Sequence, residues 1–436
     1  MKRIVTFVAA AATSLSLMAE CYQINTLSTK QLGMGHAGVA MKLGSESMIF
    51  NPAGLAFSSK TIDISGAITG IKATAKATID GKQYETDNGM STPLAINAAF
   101  KIYDNLQAGI AFYTPYGSAI NWGDNWAGAI LNQKVTLKTY TIQPTFSWRI
   151  TPKFSIGAGL MMTWGSVDLN KGLVTGSSFD AMLGQQVFGN ITPASVNLKG
   201  TAEVVCGVNI GAMYEINDKI TVGASWRSKM MAKVKTGDAY VNYANDEIAK
   251  KHLEPTLKLI NEANFKAEMP LPQVISFGVA YKPIDRLTIA LDAQYTGWST
   301  YKSLDFDFLL DEQFDHFDQH IEKEYEDAWC FKAGAQFALT NRFDVRAGLM
   351  FDTTPVNDQY YNPETPGMTK IEPTVGFSFR PTDSFSVDFA FMYVAGLGKD
   401  KTRGIYNDFL TQQQREIIAD YKVHAFAPSL GVSYSF

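Results

Sequence analysis

The sequence is short of charge, of cysteine and of long apolar runs, and each shortage excludes a class of protein. Charged residues make up 18% of its 436 residues, below the roughly 25% of soluble domains. With 38 Lys and Arg against 42 Asp and Glu the net charge is −4, which provides no basic face for nucleic acid. Cys21, Cys206 and Cys330 allow at most one disulfide, so no disulfide framework holds the fold. There is no G-x-S-x-G, and His36, His252, His316, His320 and His424 pair by spacing with no serine. A nucleophile needs an adjacent base, so the chain reads as neither an enzyme nor a cofactor protein. After residue 19 no apolar stretch reaches the ~20 residues of a membrane helix.

The start is expected to be an address. Met1-Lys2-Arg3 is basic, Ile4 to Ala19 is apolar, and Glu20 ends the run, the pattern of a secretory signal peptide over 1–19 with cleavage after Ala19. A lipidated Cys21 is disfavoured because the preceding residue is Glu20 rather than a small one.

What is present is alternation. Phe385, Val387, Phe389, Phe391 and Tyr393 alternate with Ser386, Asp388, Ala390 and Met392. Leu287, Ile289, Leu291, Ala293 and Tyr295 alternate with Thr288, Ala290, Asp292 and Gln294. Period two is the strand signal. Tight turns at 103–105, 151–153, 217–219, 283–285, 340–342 and 381–383 alternate with long polar connections near 73–91, 117–133, 169–198, 237–269, 302–325, 353–370 and 396–420. That asymmetry is the mark of an outer-membrane barrel, with short periplasmic turns and long outer loops. Seven long and six short connections imply fourteen strands. In lipid every backbone N–H and C=O must be paired within the protein, and an exported chain without membrane helices achieves this only as a closed sheet. The fold predicted is therefore all-β, a 14-stranded antiparallel transmembrane barrel over 61–436. Tyr113, Trp148, Trp164, Trp226, Trp298, Tyr393 and Tyr434 read as interfacial girdles.

Residues 20–60 do not alternate. They are rich in small residues around Gly33, Gly35, Gly38 and Gly44, carry Asn51-Pro52-Ala53-Gly54, and include Met34, Met41, Met48, Ile49, Phe50, Leu55 and Phe57. A fourteen-strand barrel leaves a lumen to fill, and this segment is expected to plug it. Pro after Asn51 biases that residue to extended backbone and frees its side chain to hold the turn.

The NPAG at 51–54, with Asp124-Asn125-Trp126-Ala127-Gly128, Trp226-Arg227-Ser228, MPLPQVISFGVAY at 269–281, Tyr295-Thr296-Gly297-Trp298-Ser299, RAGLMFDTTPV at 346–356 and the terminal Tyr434-Ser435-Phe436, resembles the FadL family of outer-membrane transporters across nearly the whole mature chain. The resemblance implies a monomeric fourteen-stranded barrel with an N-terminal hatch. It further implies passive uptake of hydrophobic compounds such as long-chain fatty acids, in contact with outer-membrane lipid and lipopolysaccharide.

Candidate residues follow from both readings. Asn51, Pro52, Ala53 and Gly54 are expected to form the hatch turn. Pro115, which cannot donate to a ladder, and Gly117 are placed to bend the third strand inward and open a lateral gap, as the family implies. Phe50, Leu55 and Phe57 are ligand-contact candidates, with Arg227, and with Lys171 at a position where the resemblance implies a basic head-group residue. Arg227 and Arg346 are expected to pair with lumen acids such as Asp344, Asp352 and Asp388, as buried charges must. His316 and His320, at i, i+4, are read as a solvated outer loop rather than a metal site. In the insert at 244–265, Leu253, Leu257 and Ile260 fall on one helical face, expected to pack over the barrel mouth. The rival readings are a general porin braced by its N-terminal segment, which would need a charged constriction, and an adhesin acting through its outer loops.

Overall fold

The computed structural model describes residues 21–311 and 317–436; the expected leader at 1–19, with its cleavage site, and His316 lie outside the described residues. The wall strands are β1 (Ile62–Thr69), β2 (Leu94–Tyr103), β3 (Leu106–Tyr113), β4 (Lys134–Thr151), β5 (Phe154–Val174), β6 (Ala194–Glu215), β7 (Ile220–Arg227), β8 (Val274–Ile284), β9 (Leu287–Thr296), β10 (Ala328–Thr340), β11 (Phe343–Asp352), β12 (Lys370–Phe379), β13 (Phe385–Gly396) and β14 (Gln414–Ser435). Each pairs antiparallel with its chain neighbour, and β14 closes on β1 from Asp63↔Ser435 to Thr69↔Ser429. The ring of strands thus closes on itself, as lipid requires. The wall is the fourteen-stranded barrel read from the sequence, and the tight turns fall within two residues of their expected places.

Burial is inverted relative to a soluble sandwich. On β13 the polar and small positions Ser386, Asp388, Ala390 and Met392 are buried, while Phe385 is exposed and Val387, Phe389, Phe391 and Tyr393 are half-buried. Leu430, Val432, Tyr434 and Phe436 on β14 face outward together. The apolar face is the solvent-facing one because its solvent is hydrocarbon. Trp148, Trp226 and Tyr434 are exposed, as girdle residues should be. Tyr113 and Trp298 are not: both are fully buried, Tyr113 donating to Gln143 Oε1 at 2.7 Å and Trp298 packed on Tyr22. The expectation placed them by distance along the strand, which does not specify the face.

Several strands run on beyond the ring as outer hairpins. Lys72–Ile79 lies against the far half of β14 with Lys82–Glu85 paired to its other side, and Met230–Tyr243 and Asn264–Leu271 form a tall hairpin whose first arm rejoins β6. Between those arms the helical segment runs over Asp246–Lys250 and Lys251–Leu257. Asn245 starts it, its Oδ1 accepting from the N–H of Ile248 and Ala249. Leu253, Leu257 and Ile260 are buried on its inner side.

Candidate ligand passage

Residues 21–57 touch the inward positions of strands all round the ring. Thr69 Oγ1 on β1 donates to the Thr26 carbonyl, the Thr29 and Ser429 hydroxyls are hydrogen-bonded to each other across to β14, and the Gly35 N–H donates to Thr374 Oγ1 on β12. Asp292 on β9 accepts from the N–H of Gly38 (2.7 Å) and Val39 (3.0 Å). Gln143 on β4 and Asn209 on β6 both donate to the Met48 carbonyl. Glycines let the wall approach this closely. A Cβ at Gly109, Gly157, Gly211, Gly223, Gly278, Gly334 or Gly348 would strike the N-terminal segment, at Gly334 and Gly348 its backbone at Met34 and Gly35.

Asn51 organises the NPAG turn. Its Nδ2 donates to the carbonyls of Val39 and Ala212, and its Oδ1 accepts the Ala53 N–H while capping the helical turn Pro52–Phe57. Pro52 lies over Gly157 and Gly211. The Ala53 carbonyl accepts from Ser155 (2.8 Å) and Ser147, and Gly54 lies against Ser47 and Met213.

On the periplasmic side, the segment meets the wall through charges. Lys30 pairs with Glu46 (2.9 Å) and Asp388 (3.8 Å), and Arg346 with Asp388 (3.7 Å) and Asp344 (3.9 Å), while its Nε donates to Gln336. Asp352 pairs instead with Lys370. Arg227 meets no acid among the described residues: its guanidinium donates to the Ile49 carbonyl at 3.0 Å. A backbone carbonyl satisfies the group as well as a carboxylate, which sequence spacing could not reveal.

β3 stops at Tyr113, and its line resumes only at Gly117–Asn121. In between, the Pro115 carbonyl accepts the Ile24 N–H and the Gly117 N–H donates to the Tyr22 carbonyl, both at 2.8 Å. The third strand therefore turns inward and bonds to the start of the N-terminal segment. Toward β2 its last contacts join Thr114 and Leu94. Beside this break lies an apolar cavity of ≈ 80 Å³, lined by Tyr22, Ser118, Leu137, Thr139, Val205, Ala232, Met269, Tyr301 and Phe306 among others. That is smaller than the 300–1,000 Å³ of ordinary ligand sites, so a ligand would enter only as side chains part. Tyr22 packs edge-on against Trp298 (4.7 Å) and Tyr301 (5.9 Å). Lys323, fully buried, pairs with Glu364 beside Tyr301.

None of Phe50, Leu55, Phe57, Lys171 or Arg227 lines this cavity. Leu55 is wholly buried against the wall, Phe57 lies under the Lys42 ammonium, and Phe50 and Arg227 share a small polar cleft. Lys171 donates to Gln319 Oε1 in a separate polar vestibule that His320 also lines. His320 pairs with Asp305, and no metal-ligand cluster occurs among the described residues. The aromatic side chains lining the cavity, Tyr22, Trp164, Tyr301 and Phe306, come from three segments far apart in the chain, so no single stretch of sequence announced them.

Two outer loops are clamped by one carboxylate. Asp408 accepts from the Ser178 hydroxyl and from the N–H of Leu410 and Thr411. Burial works to raise its pKa, but these donors prevail and hold it below the usual value.

Residues 9–436 match the family model described as outer membrane protein transport protein (OMPP1/FadL/TodX). Outer membrane protein P1 of Haemophilus influenzae is 23% identical over 87% of this chain and 86% of its own length. The long-chain fatty acid transport protein of Escherichia coli O6:H1 is 22% identical over 91% of this chain and 92% of its own. Among solved structures, a Pseudomonas aeruginosa FadL homologue superposes with a TM-score of 0.81 at 18% identity, covering 95% of this chain and all of that one. The Pseudomonas putida toluene transporter TodX superposes with a TM-score of 0.69 at 16% identity, over 96% and 99%.

Proposed function

We propose, since the chain belongs to the OMPP1/FadL/TodX family of outer-membrane transport proteins, that it takes up long-chain fatty acids or similar hydrophobic molecules by passive diffusion. In this reading residues 20–60 are the plug of a monomeric barrel spanning 61–436, set in outer-membrane lipid and lipopolysaccharide. Ligand gathered by the outer loops reaches the apolar cavity behind Tyr22 and leaves sideways into the bilayer through the break at Pro115 and Gly117. The observation that carries the reading is that break: the third strand leaves its ladder to bond with Tyr22 and Ile24, next to an apolar cavity. Displacing residues 22–24 then opens wall and cavity together. A polar porin would need an open charged constriction, and the hydrogen bonds between residues 21–57 and the strands count against one.

A disulfide between Leu94→Cys and Thr114→Cys, in a Cys206→Ser background, pins the last rung of the β2–β3 ladder. Oleate uptake should fall in the oxidised protein and return with dithiothreitol. Unchanged uptake in the oxidised protein overturns lateral exit at this place.

A further inference from the structure

The wall has a second interruption. β6 is laddered to β7 as far as Asn209↔Arg227, with one further contact between Val208 and Ser228, and it rejoins the outer hairpin only at Gly200↔Gly237. Between these points, residues 201–207 on one lip and 229–236 on the other have no ladder partner across the opening among the described residues. The second lip pairs backward instead, Met230–Val234 against Ala267–Leu271. On its other side β6 carries a bulge, where Glu203 and Val204 stand opposite Trp164. Burial alternation fails here: no residue from 199 to 206 is buried. Unpaired strand edges are normally covered or paired, and a bulge re-aims the strand that bears it.

The cavity behind Tyr22 reaches this opening. Ala202 and Val205 line it from one lip, and Ala232 and Val234 from the other. Across the outside of the lips Lys235 pairs with Glu203 at 2.9 Å, while Lys233 pairs within the second lip's own hairpin with Glu268 at 2.7 Å, all four well exposed. Exposed pairs of this kind are weak latches. Val205 stands ten residues from the turn after Glu215. At ~3.3 Å per residue and a tilt of ~40°, that is about 25 Å up the wall, the outer edge of the apolar band. The opening therefore meets the bilayer where head groups give way to acyl chains, with two ammonium groups on its rim.

We propose that this opening is a second lateral exit from the cavity, taken by single-chain anionic amphiphiles. The carboxylate exchanges for Glu203 at Lys235 while the chain slides between Val205 and Ala232 into the outer leaflet. The proposal rests on lateral delivery of a hydrophobic ligand and adds a second door to it.

The test uses the full-length protein with the 94–114 disulfide in place, palmitate as the transported probe and a diazirine-bearing palmitate as the label. In the oxidised protein a residual palmitate uptake should persist. It should be lost when Val205→Trp and Ala232→Trp are added, rise with Glu203→Ala, which frees Lys235, and fall with Lys235→Ala, which removes the head-group partner. In protein without lip substitutions, the photolabel should fall on residues 201–207 or 229–236. Complete loss of uptake on oxidation alone overturns the second exit and leaves the first standing. No label on either lip does the same, independently of whether the tryptophan variant folds. Uptake indifferent to both the disulfide and the tryptophans overturns both exits.

Discussion

The side-chain amide of Asn51 donates to the carbonyl of Val39 at 2.7 Å, tying the NPAG turn to a loop twelve residues earlier. The same nitrogen reaches the Ala212 carbonyl on β6, and the oxygen holds the Ala53 N–H. One side chain thus closes the turn on itself and on the wall. Asn51→Ala leaves three buried backbone groups short of a partner, each costing about 1–3 kcal/mol if unsatisfied. The barrel should still assemble, read as heat-modifiable migration on a gel, while oleate uptake falls. Wild-type uptake would show that the turn is not needed for passage.

The inward glycines give a sharper contrast. Gly348→Val should destabilise by about 1–3 kcal/mol or displace residues 34–35, since overpacking forces backbone shifts. Its signature is a lowered melting temperature together with leakage of small sugars. Gly66→Ala, whose new Cβ would find its nearest neighbour at 3.9 Å, should change neither.

Arg346 lies between Asp344 and Asp388, both buried. Arg346→Met removes the cation and leaves carboxylates only partly compensated by Arg380 and Lys30. Breaking a buried pair costs about 3–5 kcal/mol, and the remaining partners place the expected loss toward the lower end. Thermal unfolding in detergent measures it, and a variant as stable as the parent would remove these ion pairs from the forces holding the wall.

The Asp408 clamp should depend on pH. Its carboxyl is held below the ordinary value in the folded loops, so its contribution is complete above the unfolded pKa of about 3.9 and is lost as pH falls through the lower, folded one. Hydrogen-exchange protection in 175–193 and 397–413, measured relative to the unstructured-chain rate at each pH, should therefore be high at neutral pH and fall only in strong acid. Asp408→Ala should show low protection at every pH, and equal protection in both proteins would remove the clamp.

The wall was legible in the sequence because strand period and turn length carry it directly. The run from Phe385 to Tyr393 announces its lipid face, and Asn217-Asp218-Lys219 announces a turn, without reference to any other part of the chain. The passage was much less so. Phe50, Leu55 and Phe57 attract attention as large apolar residues near a lumen, but size alone does not distinguish a side chain lining a cavity from one filling a wall. Leu55 does the second. Tyr22, Tyr301 and Phe306 line the cavity together only because β14 closes on β1 and brings distant loops over one mouth. The break at Pro115 was readable from proline chemistry. The opening beside Val205 was not, since its absent ladder is a property of two segments rather than one.

The seam between β1 and β14 has a bearing on how the molecule is made. The residues that touch the inner face of the wall precede it in the chain, whereas the strand that shuts the cylinder follows the other thirteen. Thr29 already needs Ser429, and Lys30 needs Asp388, so these contacts form only when the final hairpin arrives. Nothing as bulky as Pro52 resting on Gly157 and Gly211 can be threaded into a finished cylinder from below without breaking the glycine contacts all around it. Biogenesis must therefore wrap the wall around its own beginning, and the machinery that releases the barrel receives a ligature being tied rather than a pipe waiting for a cork.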